Sequence, residues 1–219
     1  MIIPAVLPTT IHDVERRVGL VKDYVDRFHV DVADGYFAPV ETWPIINRNG
    51  FQDIVNGDRR LPNYEDVDYE IHLMVQDPED HIDEWIAAGA TAIIAHSSML
   101  EAPHLVNKKL KSSGVEFGIA VTPTEYQMVD DSLFELADFV LVMGSDNIGH
   151  HGVSLSDESV EIIKTIAKNY QKPIGIDIGV NRNTIDRLHN AGATRFVSGS
   201  AVFGTADIDD SLDKLQEQS

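Results

Sequence analysis

Two histidines and two aspartates interrupt runs that are otherwise apolar and β-rich. His29 and Asp31 stand two apart in Phe28-His29-Val30-Asp31-Val32, His72 lies in Ile71-His72-Leu73-Met74-Val75, and Asp177 lies in Ile174-Gly175-Ile176-Asp177-Ile178. Residues two apart in a strand share a face, so His29 and Asp31 point the same way. Read singly, each has a plain structural reading: a histidine in an apolar strand is more often a satisfied core residue than a ligand, and a strand aspartate can bond to backbone or to a neighbouring imidazole. Taken together they make a metal site a candidate beside the structural reading, because two buried carboxylates are costly unless each is paired or metal-bound. Two imidazoles and two carboxylates suit one divalent ion, Zn, Fe, Mn or Co, rather than Ca. The chain has no cysteine, which excludes disulfides, thiolate chemistry and Cys-type zinc sites.

These residues need elements to hold them. Short β-rich runs alternate with longer amphipathic segments from end to end, the pattern of βα units around a parallel sheet. Eight strands are predicted, over Ile2 to Leu7, Phe28 to Val32, Tyr69 to Val75, Ala92 to His96, Glu116 to Val121, Phe139 to Gly144, Pro173 to Ile178 and Arg195 to Ser198. Between them, apolar residues recur three or four apart, as in Ile11, Val14, Val18, Val21 and Val25, which predicts helices with one buried face. Asp77-Pro78 reads as N-cap and first residue of the third helix, and Gly89 and Gly192 read as the stops of the third and seventh. Ala88-Gly89-Ala90-Thr91 and Ala191-Gly192-Ala193-Thr194 echo each other, as repeated units would. The stretch from Asn47 to Asp68 is poorly patterned and is expected to hold the second helix and a surface excursion. Eight units predict one closed (β/α)8 TIM barrel, an α/β fold, as a single domain over residues 1–219, with reactive residues at the C-terminal strand ends.

With 219 residues and 43% hydrophobic content, the chain fits one such core. Its net charge of −19, from 17 basic and 36 acidic residues, argues against nucleic-acid binding. An anionic substrate would have to be attracted locally, by backbone N–H groups and helix N-termini. The start, MIIPAVLPTT, has neither a basic segment nor a long apolar stretch, and nowhere do ~18 apolar residues run uninterrupted. A cytoplasmic protein with no membrane association is expected.

The run from His29 to Pro39, His-Val-Asp-Val-Ala-Asp-Gly-Tyr-Phe-Ala-Pro, resembles the strand-two signature of ribulose-phosphate 3-epimerases. Four further segments carry the resemblance in order: Glu70-Ile71-His72-Leu73-Met74-Val75, Val140-Leu141-Val142-Met143, Ile176-Asp177-Ile178-Gly179-Val180, and Ser198-Gly199-Ser200-Ala201-Val202-Phe203-Gly204. The resemblance implies a phosphate-binding barrel and a divalent metal held by His29, Asp31, His72 and Asp177. It implies a small-molecule sugar phosphate as substrate, D-ribulose 5-phosphate by default, and assembly into a homo-oligomer. The implied mechanism moves the C3 proton between two carboxylates, Asp31 and Asp177, on opposite faces of the sugar, through a metal-stabilised enediolate. Met74 and Met143 match methionines beside the metal, and Gly179, Gly199 and Ser200 match the phosphate end. Asp34 and Gly35 read as a turn in which Asp34 bonds to nearby backbone, while His96 reads equally as pocket wall or core.

The substrate-facing shell departs from the family pattern. Pro4-Ala5-Val6-Leu7-Pro8 stands where the family has Pro-Ser-x-Leu-Ser, Ala33 replaces a methionine, and Thr122 replaces an asparagine. The strand-six loop reads Ser145-Asp146-Asn147-Ile148-Gly149-His150-His151-Gly152-Val153 instead of Asn-Pro-Gly-Phe-Gly-Gly-Gln, so His150 and His151 are candidate anion contacts. Ile178 occupies the first place of a usual double glycine and puts a bulky side chain near the expected phosphate path. The related hexulose-phosphate synthases use an Asp-x-Lys-x-x-Asp strand motif, and no strand here carries it. A non-catalytic metal- or sugar-binding barrel is the alternative of a different class.

Overall fold

Alternating strands and helices need a continuous sheet whose two faces are both covered, and closure supplies it. The computed structural model describes residues 1–150 and 152–219. Eight parallel strands close into a barrel in sequence order, each paired with its chain neighbours and β8 with β1. They are β1 Ile2–Val6, β2 Arg27–Ala33, β3 Asp68–Met74, β4 Ala92–His96, β5 Glu116–Val121, β6 Phe139–Met143, β7 Ile174–Asp177 and β8 Arg195–Ser198. The chain is thus a (β/α)8 barrel. Strand bounds agree with expectation for β4, β5 and β8 and differ by one or two residues elsewhere.

Alternation divides each strand between two cores. Val30, Val32, Ile71, Leu73, Ile93, Ile119 and Val140 face outward and pack with helix residues such as Val14, Val18, Val21, Ile163 and Leu188. Ile3, Ala5, Ala33, Met74, Ala92, Ile94, Ala120, Phe139, Leu141, Met143 and Val197 fill the barrel interior. Bulk is balanced across it. A Cβ on Gly118 would lie 2.6 Å from the Phe139 ring and 2.7 Å from Ile94, so the missing side chain in β5 makes room for the aromatic ring of β6.

Helix boundaries follow local chemistry. The first helix, Ile11–Val21, opens with a capping box: Asp13 N–H donates to Thr10 Oγ1 at 3.2 Å, and Thr10 N–H donates to Asp13 Oδ2 at 3.0 Å, an arrangement worth about 1 kcal/mol. Gly89 and Gly192 end their helices at φ 94° and 114°, conformations a Cβ would penalise. The third unit differs from expectation. Pro78 opens a 3-10 turn, Pro78–His81, before the α-helix Ile82–Ala88, and Asp77 makes no side-chain capping bond. The region after β2 holds the short helix Phe51–Val55 and then turns. Among the described residues no helix is long and apolar enough to cross a membrane.

Candidate metal centre

Strands β2 and β3 pair so that Asp31 lies beside His72 and His29 beside Glu70. All four point into the barrel. His72 Nδ1 is 3.0 Å and His29 Nε2 3.2 Å from the same oxygen, Asp31 Oδ1. Asp177 joins them from β7, so that one donor atom from each of His29, Asp31, His72 and Asp177 lies within 4.8 Å of the others. The four residues named from the sequence therefore converge on one point at the C-terminal mouth. Both histidines are fully buried, and Asp31 is 6% exposed. Asp177 is half-buried, ringed by protein but open to the cavity above it. Its oxygen Oδ1 accepts the Ile178 N–H at 2.7 Å.

Behind each histidine stands a carboxylate to which no role was given from the sequence. His29 Nδ1 lies 2.7 Å from Glu70 Oε1, and Glu70 Oε2 accepts from Arg195 of β8. Arg27 approaches Glu70 at 3.6 Å and pairs with Glu116 at 2.5 Å. His72 Nε2 lies 3.1 Å from His96 Nε2, and His96 Nδ1 lies 2.8 Å from Glu125 Oε2. Glu125 also accepts the Thr122 N–H at 2.8 Å and the Ser98 N–H at 3.3 Å, with the Ser98 hydroxyl a further donor. No buried side-chain polar atom among the described residues lacks a partner. Part of this was readable: Glu70 shares the His72 face by alternation, and Thr122-Pro123-Thr124-Glu125 has capping-box spacing, which the structure forms. That Arg195 meets Glu70, 125 residues away, has no local signal.

The charges sort into opposite states. Burial disfavours a charged ring at His29, but the facing Asp31 carboxylate and the hydrogen bonds to Asp31 and Glu70 outweigh it and raise the pKa to about 10. Burial likewise opposes the charge on Asp31, yet His29 and His72 hold it far below the usual carboxylate range. Asp177 moves the other way, to about 6, because burial and the Asp31 charge both disfavour a second anion. The donor set, two imidazoles and two carboxylates with their outer nitrogens already engaged, fits a divalent ion.

A cavity of about 310 Å³ opens over the cluster, at the small end of ligand-binding sites. Asp31, Met74, Met143, Asp177, Gly179, Gly199 and Ser200 line it, and His29 and His72 lie below its floor. Gly179 has φ 78°, and a Cβ there would lie 2.6 Å from Leu155 N. Ile178 also lines the cavity, at φ 74°, a conformation rarely taken by a β-branched residue. His150 lines it too, with Nδ1 2.9 Å from the Ile148 carbonyl oxygen; His151 lies outside the described residues. Asp34 is a turn residue: Oδ1 accepts the N–H groups of Tyr36 and Phe37, and Oδ2 accepts that of Gln76. His96 is fully buried and does not line the cavity.

Residues 1–203 match the ribulose-phosphate 3 epimerase family over nearly the whole barrel. The chain belongs to that family. Ribulose-phosphate 3-epimerases similar to it include those of Schizosaccharomyces pombe, 31% identical with 92% of this chain and 86% of the relative covered, and Aquifex aeolicus, 29% identical with 92% and 88% covered. That of Bacillus subtilis is 28% identical, with 97% and 93% covered. Among solved structures, a 3-hexulose-6-phosphate synthase superposes with a TM-score of 0.70 at 19% identity, covering 99% of this chain and 98% of that one. At that identity the likeness concerns the fold alone.

Proposed function

We propose that this protein is a divalent-metal-dependent 3-epimerase of a ketose phosphate, with D-ribulose 5-phosphate and D-xylulose 5-phosphate as the default pair. One observation carries the reading. Two carboxylates, Asp31 from β2 and Asp177 from β7, line the same cavity beside the histidine pair, and in the metal-free protein they lean to opposite protonation states, Asp31 lowered and Asp177 raised. A proton can therefore be taken by one carboxylate and returned by the other, which is what inversion at one carbon requires. His29, Asp31, His72 and Asp177 would hold the ion. When bound, it supplies Lewis-acid stabilisation of the negative charge that builds on the substrate oxygens as the C3 proton leaves.

The chain's own groups do the rest. Asp31 is the base in one direction and Asp177 the acid, with the roles exchanged in reverse. Met74 and Met143, both almost fully buried, form a dry wall beside them. Gly179, Gly199 and Ser200 line the cavity where backbone can approach a phosphate. The cavity lining among the described residues contains no Lys or Arg, so anion binding rests on backbone dipoles, with His150 as the one imidazole among the described lining residues.

Deuterium wash-in at C3 from heavy water tests the reading, with metal-loaded protein and a panel of pentulose and hexulose phosphates. The panel is broad because Ile178 narrows the cavity. Exchange with at least one ketose phosphate is expected, abolished in Asp31→Asn and Asp177→Asn. No exchange with any of them, in protein shown to hold metal, would refute the epimerase reading in favour of a binding protein.

A further inference from the structure

The two imidazoles of the cluster present different nitrogens to it, His29 its Nε2 and His72 its Nδ1. A ring nitrogen can ligate only through its lone pair, so His29 must carry its proton on Nδ1 and His72 on Nε2. For His29 the reason lies next door, since Glu70 accepts from Nδ1. For His72 the neighbour is another neutral-capable imidazole, which could donate or accept. The nitrogens of His72 and His96 approach to 3.1 Å while the ring centroids stay 5.1 Å apart with planes 25° apart. The rings therefore meet edge to edge, as an N–H···N bond requires, and one must donate while the other accepts.

Glu125 decides which. Its oxygens already take the Thr122 N–H, the Ser98 N–H and the Ser98 hydroxyl, all donors, so it faces His96 Nδ1 as an acceptor. His96 must then carry its proton on Nδ1 and leave Nε2 with a lone pair. That lone pair obliges His72 to donate from Nε2, so that in the metal-loaded protein the His72 Nδ1 lone pair is free to ligate the ion beside Asp31. The proton order runs in one direction only, from the Glu125 carboxylate through two rings to the cluster.

We infer that His96 and Glu125 are positioning residues for the metal centre, a two-residue relay that fixes the tautomer and ring orientation with which His72 receives a divalent ion. The inference rests on the metal-centre reading above. It assigns a role to two buried groups that touch neither substrate nor ion. A packing role alone would require only that the pair hold the β4 and β5 loops together, and would leave metal affinity unaltered once the protein is folded.

The test is Co2+ and Zn2+ affinity by chelator competition, with thermal unfolding of the metal-free proteins in parallel and ring 15N NMR of the histidines. His96→Leu removes the acceptor and is expected to weaken metal binding about 10- to 100-fold, the usual effect of losing an outer-shell partner. His96→Gln can still accept from His72 and donate to Glu125, and is expected to stay within about threefold of wild type. Glu125→Gln allows the reversed proton order, and the spectrum of its Zn2+-loaded form should show His96 protonated on Nε2 in part of the population. Wild-type affinity in a folded His96→Leu variant would overturn the relay. So would a spectrum of the Zn2+-loaded wild type with His96 protonated on Nε2, which also decides the matter should His96→Leu fail to fold. Absence of divalent-metal binding by the wild type would instead overturn the metal-centre reading on which the relay depends.

Discussion

Replacing Glu70 by Gln keeps the side chain's shape while deleting the carboxylate that Arg195 and His29 share. Glu70 is fully buried, and Arg195 is 8% exposed, so the variant leaves a guanidinium inside the barrel without its counter-charge. Removing one partner of a buried ion pair costs about 3–5 kcal/mol. Two features lower that figure here. Arg27 keeps Glu116 at 2.5 Å, and Arg195 retains the Phe139 ring, 4.0 Å from its guanidinium carbon, a contact worth about 0.5–2 kcal/mol. A destabilisation of about 2–4 kcal/mol is expected, equivalent to a melting point lower by about 5–15 °C for a chain this long. Urea unfolding at pH 7 in the presence of chelator measures it without interference from metal. A loss below about 1 kcal/mol would refute the claim that Glu70 compensates a buried charge. The double variant Glu70→Leu/Arg195→Met separates stability from ligand orientation. Apolar replacement of both charges should recover most of the stability, yet metal affinity should stay lowered by about 10- to 100-fold because His29 Nδ1–H has lost its acceptor. Wild-type affinity in that double variant would reduce Glu70 to a charge partner for Arg195.

Three further outcomes follow from the same geometry. His29 has its pKa raised from 6.5 to about 10 in the folded, metal-free protein, so the stability it contributes is complete below pH 6.5 and declines as pH rises toward 10; unfolding curves with chelator should show the decline, and calorimetry in buffers of different ionisation heat should show proton release on metal binding. Glu125, lowered from 4.5 to about 2, acts oppositely, its contribution being present above pH 4.5 and lost as pH falls toward 2, which acid unfolding of Glu125→Gln against wild type would expose as a flatter pH dependence. Ile178→Gly relieves about 1–2 kcal/mol of left-handed backbone strain against about 0.4–1 kcal/mol of added unfolded-chain entropy and some lost contact, so stability should change by less than about 1 kcal/mol where Ile→Ala in a core costs about 2–5 kcal/mol; a large loss in urea unfolding would mean that the φ of 74° stores no strain.

What the linear chain determined is whatever depends on near neighbours. Alternation decides that His29 shares a face with Asp31, and Glu70 with His72, because side chains two apart in a strand cannot point otherwise. Glycine stops and apolar spacing of three and four decide the helices, and eight such units decide a barrel because parallel strands must be covered on both faces. The four-residue cluster could be named for that reason: each member breaks an apolar strand, and His29 shares the face that carries Asp31 toward the C-terminal mouth. Tertiary structure decided what closure alone brings together. Asp177 comes to Asp31 from β7, and the burial and the Asp31 charge that together push Asp177 up to about 6 exist only once both are enclosed in one space. Arg195 finds Glu70 across the interior, and Glu125 reaches His96 from the short helix Pro123–Tyr126 after β5. Such pairings carry no signature in spacing, since they follow from which strand faces which. Ile178 marks the same divide: its bulk was visible in the chain, but its left-handed backbone is imposed by the turn that hands Asp177 its N–H.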